Sequence, residues 1–455
     1  MAVNEKIFKA YDIRGIYPED IDADIAYRIG RAYATLVQGE NKGRRLKIVV
    51  AADMRISSPE LKETLIKGLN EQGVDVVDIG LASTPTFYFG VANYGYDGGM
   101  QVSASHNPKE YNGFKLVRKN AIPVSGDTGI MDIKELVKKN DFTDPEDKGT
   151  IETKEGVLDD QVEHDLKYAD LSRIKPFKVV ADTANSMGSP YLEALFAKLP
   201  CRLIKMNFEL DGNFPAHQAD PYKEENVADL QKRIVEERAD LGIATDGDGD
   251  RIFFIDERGE TVPPYILRGL LAKIFLKDKP GATICYDIRP GRITRDMIIE
   301  NGGKPVVTRV GHSLIKEKMM EVGAYFGGES SGHFFLHTEN GYYEVPMIVT
   351  LKILEELSAS GKTFSELISP YKKYFHSGEI NSEVEDKEGM MKNLAEMFKD
   401  ANDISYLDGV TIEFDDFWFN VRPSNTEPLL RLNLEAKTRE KMEEMRDKVL
   451  AIIRR

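Results

Sequence analysis

The feature that most constrains the fold is a recurring pair: a short β-branched run followed by a helix start. Leu46 to Ala51 (LKIVVA) is a continuous apolar run, suited to a strand buried on both faces. Ser58-Pro59-Glu60 then starts a helix, with Ser58 as candidate N-cap and Pro59 at the first helical position. Gly73 ends that helix, and Val74 to Ile79 is the next strand. The unit recurs. Phe177 to Ala181 and Leu241 to Ala244 bracket a second set, and Ala282 to Tyr286, Val306 to Val310 and Tyr325 to Phe326 make a third. Such alternation predicts α/β layers, with ligand-binding loops at the carboxyl ends of the strands.

The final segment departs from this pattern. Val410 to Phe414, Trp418 to Val421 and Leu429 to Leu434 read as strands. Thr438 caps a last helix whose Met442, Met445, Val449 and Ile452 share one face, which is assigned to the core. Breaks are expected in the charged stretch 138–155, just after Arg251 and within 361–374. They divide the chain into three similar α/β domains, 1–150, 151–251 and 252–368, and a smaller α+β domain, 369–455.

Bulk properties exclude several classes. A net charge of -15 argues against nucleic acid or an anionic membrane as partner, so an anionic substrate would need a local basic pocket. The most apolar long stretch, Tyr265 to Leu276, is interrupted by Arg268 and Lys273 and is too short to span a bilayer. No apolar segment follows the first charges, which predicts no signal peptide and a cytoplasmic location. Cys201 and Cys285 lack metal-ligand spacing and read as small buried hydrophobes in a reducing compartment.

Four segments carry chemistry. Ser103-Ala104-Ser105-His106-Asn107-Pro108 follows a strand and presents a hydroxyl in a tight turn, with Lys115 about ten residues on. Taken alone, it reads first as a plain strand-to-helix turn. Asp246-Gly247-Asp248-Gly249-Asp250-Arg251 places three carboxylates at alternate positions, separated by glycines that let the backbone turn tightly. Three carboxylates so close call for a cation, and a set with open positions for water and phosphate oxygens favours Mg²⁺. An EF-hand is the rival, since Glu257 falls at loop position twelve. It is disfavoured because Arg251 stands where that loop needs glycine, and because the flanks read as strands. Gly328 to Gly332 matches the nucleophile elbow of serine hydrolases around Ser330, yet Glu329, Ser331 and His333 equally suit gripping sugar hydroxyls. Arg422-Pro423-Ser424-Asn425-Thr426 gathers a guanidinium, two hydroxyls and an amide, a phosphate cradle.

In order and spacing these segments, together with Phe8-Lys9-Ala10-Tyr11-Asp12-Ile13-Arg14-Gly15, resemble the α-D-phosphohexomutase family in its phosphomannomutase/phosphoglucomutase branch. The resemblance runs nearly end to end and implies four domains around a central cleft. It implies that Ser105 is a phosphoserine and that Asp246, Asp248 and Asp250 hold one Mg²⁺ with a phosphoserine oxygen. Arg251 would steady the transferring phosphoryl group, and Lys115, His333 and Arg14 would line the reacting centre as candidates for proton transfer. Tyr11 and His312 would contact the ligand, Glu329 and Ser331 the sugar hydroxyls, and Arg422, Ser424, Asn425 and Thr426 the non-reacting phosphate. The implied reaction interconverts hexose 1-phosphate and hexose 6-phosphate, of mannose or glucose, through a hexose 1,6-bisphosphate that also serves as activator. The enzyme would act as a monomer or homodimer.

Arg289, Ser330 and the second-domain turn Asp182-Thr183-Ala184-Asn185, which lacks the usual Gly-rich form, depart from the family pattern. Arg289 stands where many relatives carry lysine, and a guanidinium excludes proton shuttling there while leaving phosphate or sugar contact open. Ser330 stands where methionine or glutamine is frequent, which bears on the preferred sugar. A phosphoglucosamine mutase is the neighbouring alternative. A serine hydrolase using Ser330 is an alternative of another class that leaves the Asp triplet and the phosphate cradle unexplained, and a non-catalytic Ca²⁺-binding protein is a further one, disfavoured by Arg251 and the flanking strands.

Overall fold

The structure is a computed structural model describing residues 3–289, 291–424 and 429–454. The chain forms two compact units. The first takes in the chain to Val262 with Met319–Glu321 and Ser331–Leu367; the second takes in Pro263–Lys318, Val322–Ser330 and the chain from Ile368 on.

In the first unit, Lys47–Ala52 runs parallel to Asp75–Leu81 on one side and to Gly98–Val102 on the other. Tyr111–Arg118 returns antiparallel to Gly98–Val102, and Ile13–Ile16 pairs antiparallel with it. The mixed sheet has six strands and ends at Ile151–Thr153, which pairs parallel with Asp75–Leu81. The sheet therefore continues past the boundary expected at residue 150. Helices Ala23–Glu40 and Ser58–Glu71 cover one face, their Ile25, Ile29, Leu65 and Leu69 packing with Ile48, Val50 and Met100. Ser57, and not Ser58, holds the N-cap position; the Ser58 hydroxyl bonds Asp53 Oδ1 at 2.6 Å instead. Tyr111 to Lys115 lies on a strand, which fixes where Lys115 sits.

A second mixed sheet has the order Thr261–Val262, Ile252–Asp256, Leu241–Thr245, Lys178–Asp182, Arg202–Met206. Its central strands are parallel, while Ile252–Asp256 folds back antiparallel on Leu241–Thr245. The break expected just after Arg251 is thus the tip of a hairpin, and the second sheet runs on to Val262. Cys201 is half-buried and lies just before a strand, so of the two cysteines only Cys285 is a buried core residue.

The second unit holds parallel strands Lys304–Thr308, Thr283–Asp287 and Phe326–Gly328. The hairpin Phe334–His337 and Tyr342–Glu344, next along the chain, falls in the first unit. The second unit also holds an antiparallel five-stranded sheet, ordered Phe375–Glu383, Leu429–Ala436, Phe417–Pro423, Val410–Glu413, Asp403–Ser405. The Thr438 side chain caps helix Arg439–Ile453 by accepting from Lys441 N, and Met442, Met445, Val449 and Ile452 are buried on that sheet as expected.

One buried acid in this last sheet gives the unit a pH dependence. Glu435 is fully buried beside Trp418 Nε1 (3.3 Å), and burial pushes its carboxyl from 4.5 up to about 7. Between these two values the folded chain keeps a proton that the unfolded chain has released, so stability falls as pH rises through that window. The loss is on the order of 3 kcal/mol. Denaturant unfolding of Glu435→Gln across the same range is expected to lack this slope.

Among the described residues, no helix is long and apolar enough to cross a membrane.

Candidate active site

The fully buried strand Gly98–Val102 delivers the chain to Ser103, whose hydroxyl accepts from Ser105 N at 3.0 Å. Ser105 adopts the left-handed region (φ 49°) and turns its hydroxyl toward a second loop, donating to Asp246 Oδ2 at 2.7 Å. That second loop is the tip of the Leu241–Thr245 and Ile252–Asp256 hairpin. Glycine at 247 lets the two loops meet, because a Cβ there would run into the Ser105 carbonyl oxygen.

Asp246, Asp248 and Asp250 are buried, with ligand atoms within 4.8 Å of one another. Lys115 reaches in from its strand to Asp248 Oδ2 (2.5 Å) and to Asp250. Thr84 Oγ1 donates to Asp248 Oδ2 at 2.5 Å and Thr84 N to the Asp248 carbonyl, fixing that side chain from the start of helix Thr84–Asn93. The Oδ1 atoms of Asp248 and Asp250 accept no hydrogen bond among the described residues. Burial, then Asp250 and Asp248, push the Asp246 carboxyl well above the usual range. Three buried carboxylates with open oxygens and an all-oxygen donor set fit a hard divalent cation.

The cations around this cluster are ordered by it. Burial disfavours the charged Lys115, but Asp248 and Asp250 outweigh burial and hold its ammonium well above its ordinary value. Arg251 Nε donates to His333 Nε2 at 3.1 Å, so the imidazole carries its proton on Nδ1 when neutral. Nδ1 lies 3.5 Å from Asp250 and 3.9 Å from Glu344. Arg14, on strand Ile13–Ile16, donates to Asn107 Oδ1 at 2.6 Å and pairs with Asp12. His106 Nδ1 lies 3.2 Å from Ser105 Oγ; burial, with Arg251 and Arg14, holds its imidazole well below the usual value, hence neutral. Tyr11 and Ser331 are half-buried residues of this same unit.

The remaining expected residues belong to the second unit. Asp287 is the organiser there. It pairs with the fully buried Arg268, accepts from Arg289 Nε at 2.5 Å, and accepts from Ser330 N and Oγ at 3.2 and 3.0 Å. Arg289 and Arg268 outweigh burial and hold its carboxyl at about 2. Arg289 also lies 3.8 Å from Glu329, whose Oε1 accepts from Gly311 N, next to His312. Asp287→Asn is expected to cost about 3–5 kcal/mol, since it leaves Arg268 buried without its counter-charge; thermal unfolding checks this. Arg422 donates to Glu379 Oε2 at 2.8 Å, and Arg431 Nη2 lies 3.4 Å from the Ser424 hydroxyl. Asn425 and Thr426 lie outside the described residues.

Known proteins resemble this chain in sequence and fold. Models of the phosphoglucomutase/phosphomannomutase α/β/α domains I, II and III match residues 5–144, 159–259 and 263–374, and that of the C-terminal domain matches 379–452. The chain belongs to the phosphoglucomutase/phosphomannomutase family. Its architecture is three α/β domains with mixed sheets and a smaller C-terminal domain with an antiparallel sheet, and the chain is a mutase of the intramolecular phosphotransferase class. It is 41% identical over 438 residues to a phosphomannomutase of Vibrio cholerae, covering 94% of each chain. It is also 41% identical over 452 residues to a phosphomannomutase of Methanocaldococcus jannaschii, covering 98% of this chain and 97% of the other. A crystal structure of a phosphoglucomutase/phosphomannomutase family protein from Burkholderia thailandensis superposes with a TM-score of 0.91 at 33% identity, covering 99% of this chain and 97% of that one.

In a phosphohexomutase the hydrolase-like and EF-hand-like spacings are structural. The Ser330 hydroxyl serves Asp287 and not a histidine among the described residues, so the elbow-like segment is a turn that braces a buried carboxylate. Glu257 accepts from Ser365 N and Oγ, an ordinary structural bond, and the acidic loop is flanked by strands. Thr84, Glu344 and Glu379 also meet site residues, and no sequence motif marks them. Thr84 and Glu379 reach partners 164 and 43 positions away, and Glu344 faces His333 from the next hairpin strand.

Proposed function

We propose that this enzyme interconverts hexose 1-phosphates and hexose 6-phosphates, of mannose or glucose or both, by way of a phosphoserine at Ser105. The observation that carries the reading is the Ser105 hydroxyl, 2.7 Å from Asp246 within a buried three-carboxylate cluster that Lys115 and Arg251 flank. Phosphoryl transfer asks for alignment and charge neutralisation more than for covalent chemistry from side chains. Asp246, Asp248 and Asp250 would hold Mg²⁺, which when bound supplies positive charge to the phosphoryl oxygens.

The chain's own residues do the rest. The bond from phosphorus to Ser105 Oγ breaks as a hydroxyl of the hexose monophosphate attacks, and the proton of that hydroxyl passes to a base of the site. A hexose 1,6-bisphosphate results; it turns end for end, and its other phosphoryl group returns to Ser105. Lys115 and Arg251 stabilise the charge in flight. His333 and Arg14 stand at the reacting centre. Glu329 and Ser331 orient sugar hydroxyls, with Tyr11 and His312 beside the ligand. Arg422, Ser424, Asn425 and Thr426 bind the phosphate that is not reacting, and Arg289, always charged, adds an anion contact.

The test is conversion of mannose 1-phosphate and glucose 1-phosphate to the 6-phosphates with Mg²⁺ and a trace of glucose 1,6-bisphosphate, with glucosamine 6-phosphate in parallel. Turnover requiring both additions is expected, and the relative rates name the sugar. A rate confined to glucosamine 6-phosphate would move the assignment to the amino sugar.

A further inference from the structure

The loop from Ser105 to Tyr111 is held at its carbonyl oxygens by one side chain more than by any other. Arg55, on the turn after strand Lys47–Ala52, is 1% exposed. Its Nη2 donates to the carbonyls of Ser105 (2.8 Å) and Asn107 (2.7 Å), and its Nη1 to those of Pro108 (2.7 Å) and Tyr111 (3.0 Å). Its Nε lies 3.2 Å from Asp53 Oδ2, and the Phe214 ring covers the guanidinium with its centroid 5.1 Å away. Gln218 takes the carbonyl that Arg55 skips between Ser105 and Pro108, donating to His106 at 2.9 Å. Four successive carbonyls, from Ser105 to Pro108, therefore each receive a side-chain donor.

The backbone there needs holding. Ser105 is in the left-handed region, which costs a residue with a Cβ about 1–2 kcal/mol. A flip of the peptide that carries the Ser105 carbonyl would break the Arg55 bond and swing Oγ away from Asp246. Asp53 is itself fixed, its Oδ1 accepting from Arg55 N and Ser58 Oγ, so the fork cannot drift. The planar guanidinium offers two pairs of parallel donors; an ammonium offers three donors from a single point and cannot span four carbonyls.

We propose that Arg55 is a positioning residue for phosphoryl transfer, its planar fork fixing the 105–111 backbone so that Ser105 Oγ faces the Asp246 loop. This rests on the reading of Ser105 as the phosphoryl carrier. The hydrogen bonds of the guanidinium go to main-chain carbonyls, so it acts through the loop. A misplacement of about 1 Å costs on the order of 10²-fold in rate.

The experiment compares Arg55→Lys and Arg55→Ala with the parent enzyme. It uses whichever of glucose 1-phosphate and mannose 1-phosphate the parent turns over faster, with Mg²⁺ and bisphosphate, below each variant's unfolding temperature. The lysine variant is expected to lose about 10²-fold in kcat with KM within about twofold. The alanine variant is expected to be no better, and to recover at least about tenfold with methylguanidinium but not with methylammonium, because only the planar cation restores the fork. A lysine variant with kcat within about twofold of the parent overturns the proposal. So does a loss carried wholly by KM, or equal recovery with both cations. Should the alanine variant not fold, the lysine variant decides alone. Ser105→Ala is measured alongside: activity remaining in it would refute the role of Ser105, whereas its loss with an undiminished Arg55→Lys would refute only the role of Arg55.

Discussion

Ser105→Ala is expected to lower turnover by about 10⁴-fold or more, the scale of removing a nucleophile. Its fold should survive. The hydroxyl makes one bond into the site, to Asp246, and a contact with His106, while the loop is held by its backbone. Alanine is expected to keep the left-handed conformation, since Arg55 and Gln218 fasten the carbonyls of residues 105 and 106. Intact-protein mass after incubation with glucose 1,6-bisphosphate should show a phosphoryl group on the parent and none on the variant. A variant that turned over at near the parent rate, with its unfolding midpoint unchanged, would remove Ser105 from the chemistry.

The second large effect concerns Asp246→Asn. The substitution keeps the shape of the side chain and an oxygen to accept from Ser105, and removes one of three buried negative charges. A fall in kcat of about 10³-fold is expected from loss of charge aimed at the transferring group's counter-ion. The metal response separates this from simple damage. Mg²⁺ at about 100 times its dissociation constant should stabilise the parent by about 2.7 kcal/mol and the variant by far less. Without metal the variant should be at least as stable as the parent, because burial and the neighbouring Asp250 and Asp248 disfavour the ionised Asp246 carboxylate. Equal stabilisation of both proteins by Mg²⁺ would place the cation elsewhere.

What the residues reveal, and what they hide, divides by the range of the interaction. The acidic loop is legible because its three carboxylates lie within five residues, and their mutual repulsion is a local fact. The helix at Arg439–Ile453 is legible from Thr438 and one apolar face. Lys115 is placed in the sequence only as a cation about ten residues after Ser105, just beyond Asn112-Gly113. In the fold these two residues lie inside a strand whose register with Gly98–Val102 no local pattern announces. The boundary at Arg251 fails for a related reason. An apolar run after a polar loop either opens a new sheet or returns to the old one, and Ile252–Asp256 returns. Arg55 and Glu379 carry no motif at all; the loop carbonyl of Ser105 lies 50 positions from the one and Arg422 lies 43 from the other, and only the folded chain brings them together.

Glu379 has a consequence for release. Burial would raise its carboxyl, but Arg422, with Arg289 and Arg431 near by, holds it below its usual value and so ionised. In the proposed reaction a phosphate arriving at Arg422 would trade places with this internal anion, and one leaving would not strand a desolvated cation. In the proposed reaction the bisphosphate must let go of this arginine and be caught again by its other end. A resident carboxylate would take up the arginine each time the phosphate leaves, like a berth that is never left empty while the passenger turns around.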